Sequence, residues 1–518
     1  MAALALMTAA CSNSDNDILT PAEQPANNMV TITAKLAPKS SVSGTRKLTD
    51  QSTSIKAEWA ATETMKIISA NGKEATATVN SVDGSGTATI SFTIDAAAVG
   101  QNCTIIYPAS AAVAESAGVY TAQPMTAQTG TLSNDLDVRI GEGKISDATT
   151  LDVTTQPEAQ FAIMKLTLAN NAKNLCIMAD NITIAGATLA SEGKEFMVAV
   201  PAVSSKPVTI VANDESNNCY YFKKTGVTIA AGKYYQSSPT MTALDGDNSK
   251  PLYKITATSG VTIPSGGKTV VLSGVNISSG SITCNGSVTM ILMGANKVTA
   301  ADGYAAIQIS GDQYTTLTIT GSGSLTANAG NYAAGIGTGD AQGEITGGNI
   351  VINGGTVTAT GGVSGAGIGT GDAYYGNNSC GAITINGGTV TATGGYKAAG
   401  IGTGDASNGQ YAYINACSNI TINGGTVTAT GGTQAAGIGT GYSMMNGSNN
   451  THGNITIGTG VTSVKATKGS DSPNSIGKGS TFISGGGTPT CGTITIGGDA
   501  TTYAAGVTTS PFIYPTAP

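Results

Sequence analysis

The string INGGTVTATGG decides the fold of this chain. It occurs three times without a mismatch, at residues 352–362, 385–395 and 422–432, and each copy is followed by the string AGIGTG. A looser copy precedes them at 317–340, and a decayed one follows at 455–479. The copies recur every 33 to 37 residues, a period that is typical of solenoid repeats.

Side chains alternate within each repeat. Val357 and Ala359 share one face of TVTAT, and the threonines share the other. The apolar strings are too short for helices, and glycine pairs between them permit sharp corners. One coil of short strands cannot bury its apolar face alone, but a second coil stacked ~4.8 Å away completes both backbone pairing and core. The sequence therefore predicts a parallel β-helix of roughly seven coils, from Lys268 to near Ile496. A propeller is the competing architecture, but its blades need longer, four-stranded units.

The chain before Pro251 has a different pattern. Short alternating strings such as VTITAKLAP (30–38), GTATISFTI (86–94) and KPVTIVAND (206–214) are separated by turn residues, and no strong helical pattern occurs. These features predict two β-sandwiches. The expected organisation is all-β: an N-terminal tether at 1–29, sandwiches at 30–145 and 146–250, and the β-helix at 251–518.

Composition excludes two classes of partner. Charged residues make up 11% of the chain, the net charge is −7, and the arginines are Arg46 and Arg139. Without a basic patch to neutralise phosphates, nucleic-acid binding is not expected. No apolar run approaches the ~20 residues of a membrane-spanning helix.

The N-terminal string MAALALMTAAC resembles a bacterial lipoprotein signal, although it lacks a basic segment, so the natural start is expected further upstream. The resemblance implies that Cys11 is lipidated and that a polar tether follows it. Asp15 and Asp17 resemble the export signal of surface lipoproteins in Bacteroides-type bacteria. We therefore expect anchoring in the outer membrane and exposure at the cell surface. The alternative is a short apolar start without an anchor.

Four strings resemble the fimbrillin-like (Mfa-like) pilin domain of Bacteroidia surface proteins: GTRKLTD (44–50), IKAEWAATETMKI (55–67), AQFAIMKLTL (159–168) and AAGKYYQSS (230–238). The resemblance spans residues 30 to 245 and implies transthyretin-like pilin sandwiches that assemble with other pilin subunits by donor-strand exchange. It also implies proteolytic cleavage after Arg46, which would release Val30 to Pro38 as a removable strand. An ordinary loop arginine is the alternative.

This chain departs from polymerising pilins because it continues into the repeats instead of ending in a donor strand. Such a subunit would cap a pilus or stand alone. The repeats themselves resemble Gly/Thr-rich β-helical modules of gut-bacterial surface proteins, some of which are carbohydrate-binding.

Stacking aligns equivalent residues in columns. Asn353, Asn386 and Asn423 are expected to form a structural ladder of amides at one corner. A second column holds Asp340, Asp372 and Asp405, where like charges ~4.8 Å apart need either solvent or a bridging cation. Calcium suits hard oxygen ligands, so these three are the candidate metal residues, with a solvated corner as the alternative.

A third column contains Cys380, Cys417, His452 and Cys491. Adjacent coils bring Cys380 and Cys417 within the distance that a disulfide spans, and free stacked thiols are the alternative. A zinc ion is not expected, because ligands spread along a column cannot converge tetrahedrally.

The segments after GIGTG differ between repeats, whereas the coils do not. They carry tyrosines among amide and carboxylate side chains, the groups that stack on sugar rings and bond to hydroxyls. We expect them to project from one side of the stack and to bind a ligand; turns without a ligand are the alternative. The candidate residues are Tyr374, Tyr375, Asn377, Asn378, Tyr411, Tyr413 and Tyr442.

An enzyme is not expected. Residues 251–518 contain one glutamate, Glu344, one histidine, His452, and no arginine, whereas polysaccharide cleavage needs an acid–base pair beside charge-neutralising groups. The sequence predicts a lipid-anchored surface protein, a pilus-tip or stand-alone adhesin for glycans, with no cofactor other than calcium. A structural surface or pilus subunit is the alternative, and a β-helical polysaccharide-degrading enzyme is a weaker one.

Overall fold

A computed structural model describes residues 29–39, 47–50, 55–56, 58–111, 113–116, 118–122, 136–168, 172–179, 182–184, 195–309, 313–406, 414–444, 449–481, 491–503 and 506–515. Strands dominate these residues, with one short 3₁₀ helix at Ala96–Ala98. None of the described helices is long and apolar enough to span a membrane.

The first unit is a single antiparallel sheet of seven strands. Its edge strands meet, since Thr33 N donates to Thr149 O at 3.0 Å. The sheet therefore curls around its own core, where Ile32, Ile90 and Ile105 are fully buried, and it is not a sandwich of two sheets as predicted. Two hairpins, Lys47–Asp50 with Ile55–Lys56 and Val113–Ser116 with Val119–Ala122, lie outside it. The order across the sheet is Met29–Leu36, Ala88–Asp95, Glu74–Val82, Thr64–Ser69, Asn102–Tyr107, Arg139–Ile145 and Leu151–Ala159.

The last two of these strands form a hairpin, so the boundary predicted at residue 145 falls inside the first sheet. The second unit follows, with two sheets that enclose a core including Leu166, Ile177 and Val200, in agreement with the predicted sandwich. Its three-stranded sheet contains Glu195–Pro201, Phe161–Thr167 and Tyr234–Ser237. Its five-stranded sheet contains Ile182–Ile184, Asn174–Ala179, Val203–Asn213, Cys219–Ile229 and Thr242–Ala243.

The rest of the chain is a parallel β-helix with four faces, named here in chain order. Face 1 holds Leu252–Lys254, Lys268–Ser273, Val288–Met293, Thr316–Gly321, Asn349–Ile352, Ile383–Ile385, Ile420–Ile422, Ile455–Ile457 and Ile494–Ile496. Face 2 holds Asn276–Ile277, Ala295–Thr299, Ser324–Asn328, Thr356–Thr360, Thr389–Thr393, Gly425–Thr430, Val461–Thr467 and Phe512–Tyr514. Face 3 holds Val261–Ile263, Ile282–Cys284, Ile307–Ile309, Ile336–Gly337, Ile368–Gly369, Ile401–Gly402, Ile438–Gly439 and Ile476–Gly477. Face 4 holds Ile345–Thr346, Asn378–Cys380, Ile414–Cys417 and Asn449–His452.

In the described part of the chain, seven consecutive coils from Lys268 onward contribute a strand to each of faces 1, 2 and 3, which confirms the predicted coil number. Identical residues stack in register, as with Ile352, Ile385 and Ile422, and their side chains form one continuous core. The antiparallel strand Phe512–Tyr514 closes the C-terminal end. Face 4 was not predicted, because its strands lie in the segments that were interpreted as projecting loops.

On face 3, the glycine of each of the first four Ile-Gly pairs is required by close stacking. Gly369 has φ +138°, and a Cβ there would lie 1.7 Å from Gly402 O of the next coil. Any side chain would therefore separate the coils, which is why this string repeats without change.

The second unit packs on the first coils of face 1. Val271, Ile291 and Met293 are fully buried against Cys176 and Val211 of its five-stranded sheet. Polar contacts surround this apolar patch: Asn213 Nδ2, for example, donates to Ser273 Oγ at 2.9 Å. The second unit is therefore fixed to the base of the β-helix.

Candidate functional site

The exposed asparagine column is structural, as predicted. Asn386 Nδ2 donates to Asn353 Oδ1 at 2.9 Å, and Asn423 Nδ2 donates to Asn386 Oδ1 at 2.9 Å. Each amide therefore links one coil to the next at the corner between faces 1 and 2.

A second ladder explains the string AGIGTG. The threonine hydroxyl after each Ile-Gly pair accepts a hydrogen bond from a glycine N–H of the next coil: Thr370 Oγ1 from Gly404 N at 3.0 Å, and Thr403 Oγ1 from Gly441 N at 2.9 Å. Both hydroxyls are fully buried. These motif residues hold the stack together, and none of them is presented to a ligand.

A third ladder runs inside the helix along face 4. Asn378, Asn415 and Asn450 are buried and face one another in register. Asn415 Nδ2 donates to Gly404 O of its own coil and to Tyr442 O of the next, both at 3.1 Å. The prediction that Asn378 binds ligand is therefore wrong, because its Nδ2 makes the equivalent bonds, at 2.9 Å, to Gly371 O and Asp405 O. Asn377 Oδ1 accepts from Ile414 N at 3.0 Å and is half-buried.

The aspartate column divides into one exposed and two buried residues. Asp340 is exposed, whereas Asp372 and Asp405 are buried, so the solvated-corner interpretation is wrong for these two. Burial, and next the neighbouring Asp405 carboxylate, raise the pKa of Asp372 to about 8.

The positive charge beside the buried pair comes from the protein, since Lys397 Nζ lies 3.3 Å from Asp405 Oδ2. Among the described residues, no three His, Cys, Asp or Glu side chains converge on a place where a metal could be held. The predicted calcium ligands Asp340, Asp372 and Asp405 therefore do not form a joint site.

Cys380 and Cys417 lie opposite each other on face 4, and His452 follows in the same column. Both cysteines are buried in the continuous core and are free thiols, so the structure has the stacked-thiol alternative and not the disulfide. A hydrogen bond with Cys380, together with burial, raises the pKa of the Cys417 thiol. A protonated, buried thiol is a poor nucleophile.

The predicted tyrosine surface is only partly present. Tyr442 is buried, and Lys397 Nζ lies 5.0 Å from its ring centroid, so it offers no platform to a ligand. Tyr374 and Tyr375 pack edge to face with centroids 4.4 Å apart, and Tyr375 is 52% exposed. Cys11, Arg46, Tyr411 and Tyr413 lie outside the described residues.

A cavity that the sequence did not indicate opens beside the first repeats. Its volume is about 690 Å³, within the range of ligand pockets. Tyr304 and Tyr332 line it and are 54% and 47% exposed. The polar and aromatic side chains that line it include Asp302, Tyr304, Gln308, Tyr332, Asp340 and Glu344. We call this cavity the tyrosine pocket.

Backbone geometry fixes the positions of these side chains. Tyr332 has φ +67°, a left-handed conformation that is uncommon for an aromatic residue. Asp302 Oδ1 accepts from Asn331 N at 3.1 Å, so this carboxylate holds the same turn. Gln308 Oε1 accepts from Ala305 N at 3.2 Å.

The tyrosine pair on the next coil adjoins this pocket. Tyr374 N donates to the carbonyl of Ala341, which lines the pocket, at 2.9 Å. Tyr374 and Tyr375 therefore extend the aromatic surface by one coil. The structure combines part of the predicted loop surface with residues from earlier coils.

Comparison with known families identifies the repeats. A family model described as "Beta helix repeat" matches residues 317–340, 350–372, 383–405 and 420–442. The chain carries a β-helix repeat module. Comparisons with curated proteins and with solved structures gave no significant match. Repeats of this kind suggest a surface-adhesin or polysaccharide-related module.

The first three matched segments of this β-helix repeat module end at Asp340, Asp372 and Asp405, the fourth ends at Tyr442, and a face 4 strand follows each of them. Asp302, Tyr304 and Gln308 precede the first matched segment, and Glu344 lies in the first interval between segments. Much of the tyrosine pocket is therefore built from residues outside the repeat consensus.

Proposed function

We propose that this protein is a non-catalytic, glycan-binding surface adhesin and that the tyrosine pocket is its binding site. The pocket itself carries the proposal. Two half-exposed tyrosine rings lie beside carboxylate and amide side chains on a rigid stack of strands. Aromatic rings pack on the apolar faces of sugars, and carboxylates and amides bond to their hydroxyls.

The surroundings of the pocket support this proposal. The coils above it are held by interior ladders, so the pocket side chains are positioned by a scaffold that costs little to order on binding. The adjoining pair Tyr374 and Tyr375 provides a second aromatic surface, suited to a further sugar unit of an oligosaccharide.

The proposed location is the cell surface, with the chain attached to the outer membrane through lipidated Cys11. The support for this is the resemblance of the N-terminal string to a lipoprotein signal. The β-helix would then be presented to the outside as a stand-alone adhesin or at the tip of a pilus.

A glycan array probed with the full chain tests the binding proposal. Tyr304→Ala and Tyr332→Asn should each abolish or strongly weaken the signal of any bound glycan. Tyr396→Ala is the matched control, because Tyr396 is 55% exposed on the same β-helix but does not line the pocket. Calcium is included as one arm of the experiment, since exposed Asp340 is one of three carboxylates in the pocket. An array without any bound glycan, with and without calcium, would contradict the proposal.

Assembly with a pilin partner is a second candidate function, favoured by the N-terminal strand. Met29–Leu36 pairs along its whole length with Ala88–Asp95, and its Ile32 and Leu36 side chains are fully buried in the first core. As an edge strand, it could be replaced by a strand from another subunit. In that case the protein would be a structural surface or pilus subunit.

Limited proteolysis tests this second candidate. Cleavage after Arg46 should allow the protein to accept a peptide with the sequence of residues 29–38, supplied in excess and labelled. The uncut protein is the control. Equal labelling of cut and uncut protein would exclude strand replacement.

A further inference from the structure

The charges of the tyrosine pocket indicate which glycans it accepts, if the proposed function is correct. Three exposed carboxylates, Asp302, Asp340 and Glu344, line it, and no lysine or arginine does. We propose that the pocket selects glycans with free amino sugars, whose ammonium groups carry positive charge, and rejects glycans with uronic acids.

The negative charge of the pocket is not cancelled locally. Two buried acidic groups elsewhere do have a cationic partner: Lys397 Nζ lies 3.3 Å from Asp405, and Lys39 Nζ lies 3.4 Å from Glu63. None of the three pocket carboxylates forms an ion pair with a described lysine or arginine. A concave surface with one sign of charge concentrates ions of the opposite sign.

The two tyrosines, like the carboxylates, favour a positively charged ligand. The face of an aromatic ring is electron-rich and attracts an ammonium group within about 6 Å of its centroid. Tyr304 and Tyr332 both line the cavity and are about half exposed. The same ring that packs on a sugar can therefore attract a positively charged amino substituent.

The other polar groups favour a sugar over a simple cation. Gln308 and Thr346 also line the cavity. These neutral groups bond to hydroxyls, which a polyamine or a lysine side chain lacks. The pocket thus combines sites for hydroxyl groups with a negative charge that discriminates between amino and acetamido sugars.

The experiment compares three hexasaccharides with the full chain by calorimetry, at a pH low enough to protonate amino sugars. The ligands are hexaglucosamine, its fully N-acetylated form and hexagalacturonate. We expect hexaglucosamine to bind at least about tenfold more tightly than the acetylated form, a difference of about 1.4 kcal/mol, and hexagalacturonate not to bind. Added salt should reduce this preference, because it screens exposed charges.

The double variant Asp302→Asn, Glu344→Gln identifies the source of the preference. Asparagine at 302 keeps an acceptor oxygen for Asn331 N, so the turn is preserved. The variant should lose the preference for the amino form while still binding the acetylated form. Asp471→Asn, which removes an exposed carboxylate of the same β-helix outside the pocket, is the control.

The outcomes separate the two proposals. Equal affinity for the amino and acetylated forms, or tighter binding of hexagalacturonate, overturns the charge preference and leaves glycan binding intact. Hexalysine that competes as well as hexaglucosamine shows attraction of any cation and overturns the selection of sugars. Failure of every glycan on the array, or binding that survives Tyr304→Ala and Tyr332→Asn, contradicts glycan binding at this pocket as well.

Discussion

The regular coils and the coils beneath them use polar residues differently. From Asn349 to Tyr442, the repeated side chains bond to the next coil: asparagines outside, threonines and asparagines inside. In the stretch from Asp302 to Thr346, the repeat consensus is looser, and the tyrosines and acids line a cavity. The comparison teaches that a polar side chain bonded to the next coil serves the stack, whereas an exposed side chain that makes no such bond is available for a ligand.

The largest effect on stability is expected from substituting a glycine of the repeated string. A Cβ at Gly402 would lie 1.7 Å from Gly439 O, and its φ is +136°. Gly402→Ala should therefore lower the free energy of unfolding by more than about 3 kcal/mol, measured by chemical denaturation. Gly343→Ala is the matched control, because no atom lies within 4 Å of a Cβ placed there, and its effect should stay within about 0.5 kcal/mol. Equal effects would contradict the stacking argument.

The second largest effect should separate the interior asparagine ladder from the exterior one by the stability lost on substitution. Asn415→Ala removes a fully buried amide and leaves Gly404 O and Tyr442 O without this donor. The loss should be about 2–4 kcal/mol, since each buried group left unpaired costs about 1–3 kcal/mol. Asn386→Ala removes an exposed ladder member, and the free energy of unfolding should fall by only about 0.5–1 kcal/mol. If the exposed substitution costs as much as the buried one, face 4 is not the interior support described here.

The buried aspartate predicts a dependence of stability on pH. The pKa of Asp372 is raised from 3.8 to about 8, so between these values the folded state holds a proton that the unfolded state has released. Its contribution to stability therefore decreases as the pH rises from about 4 to about 8. Asp372→Asn removes this loss of stability. At pH 8.5 the free energy of unfolding of the variant should exceed that of the wild type by at least about 1.4 kcal/mol, the equivalent of one pKa unit.

Thermal unfolding at a series of pH values measures this difference. Asp471→Asn, which removes an exposed carboxylate outside this column, is the control. Wild type and Asp372→Asn with parallel pH profiles would show that the buried carboxyl is not protonated in the folded protein.

The smallest effect on stability is expected at the pocket itself. Tyr332 has φ +67°, and asparagine tolerates this conformation better than tyrosine. Tyr332→Asn should therefore leave the free energy of unfolding unchanged or raise it by up to about 1 kcal/mol, although glycan binding is lost. A marked loss of stability would mean that the ring supports the stack and is not held for a ligand.

The sequence predicted the part of the fold that depends on periodicity. The alternation in TVTAT and the recurrence of INGG were enough to predict the coils, their number and the external ladder from Asn353 to Asn423. Contacts between units were missed, although the strings VVLS (270–273) and MILM (290–293) carry consecutive apolar residues, a pattern typical of strands buried on both faces.

The errors at the candidate site have one common cause. Because the segments after GIGTG vary in length and sequence, they were interpreted as projecting loops, whereas part of each is a face 4 strand. Asn378 belongs to such a strand, and Asn415 of the next one bonds to the carbonyl of buried Tyr442. The signal was present in NSC (378–380), NAC (415–417) and NTH (450–452), where an asparagine stands two residues before each column member. The tyrosine pocket could not be predicted, since Asp302, Tyr304 and Gln308 precede the first copy of the repeat.

The most direct measurement compares the affinity of the full chain for its best-bound glycan across two pairs of substitutions. One pair, Tyr304→Ala with Tyr332→Asn, changes residues that depart from the repeat. The other, Thr358→Ala with Thr391→Ala, changes residues of the repeated string that lie opposite each other on face 2. We predict that the two tyrosine substitutions abolish glycan binding at unchanged melting temperature. The two threonine substitutions should leave the affinity within about twofold of the wild type. If the threonine substitutions abolish glycan binding and the tyrosine substitutions preserve it, the assignment of the binding site to the tyrosine pocket is contradicted.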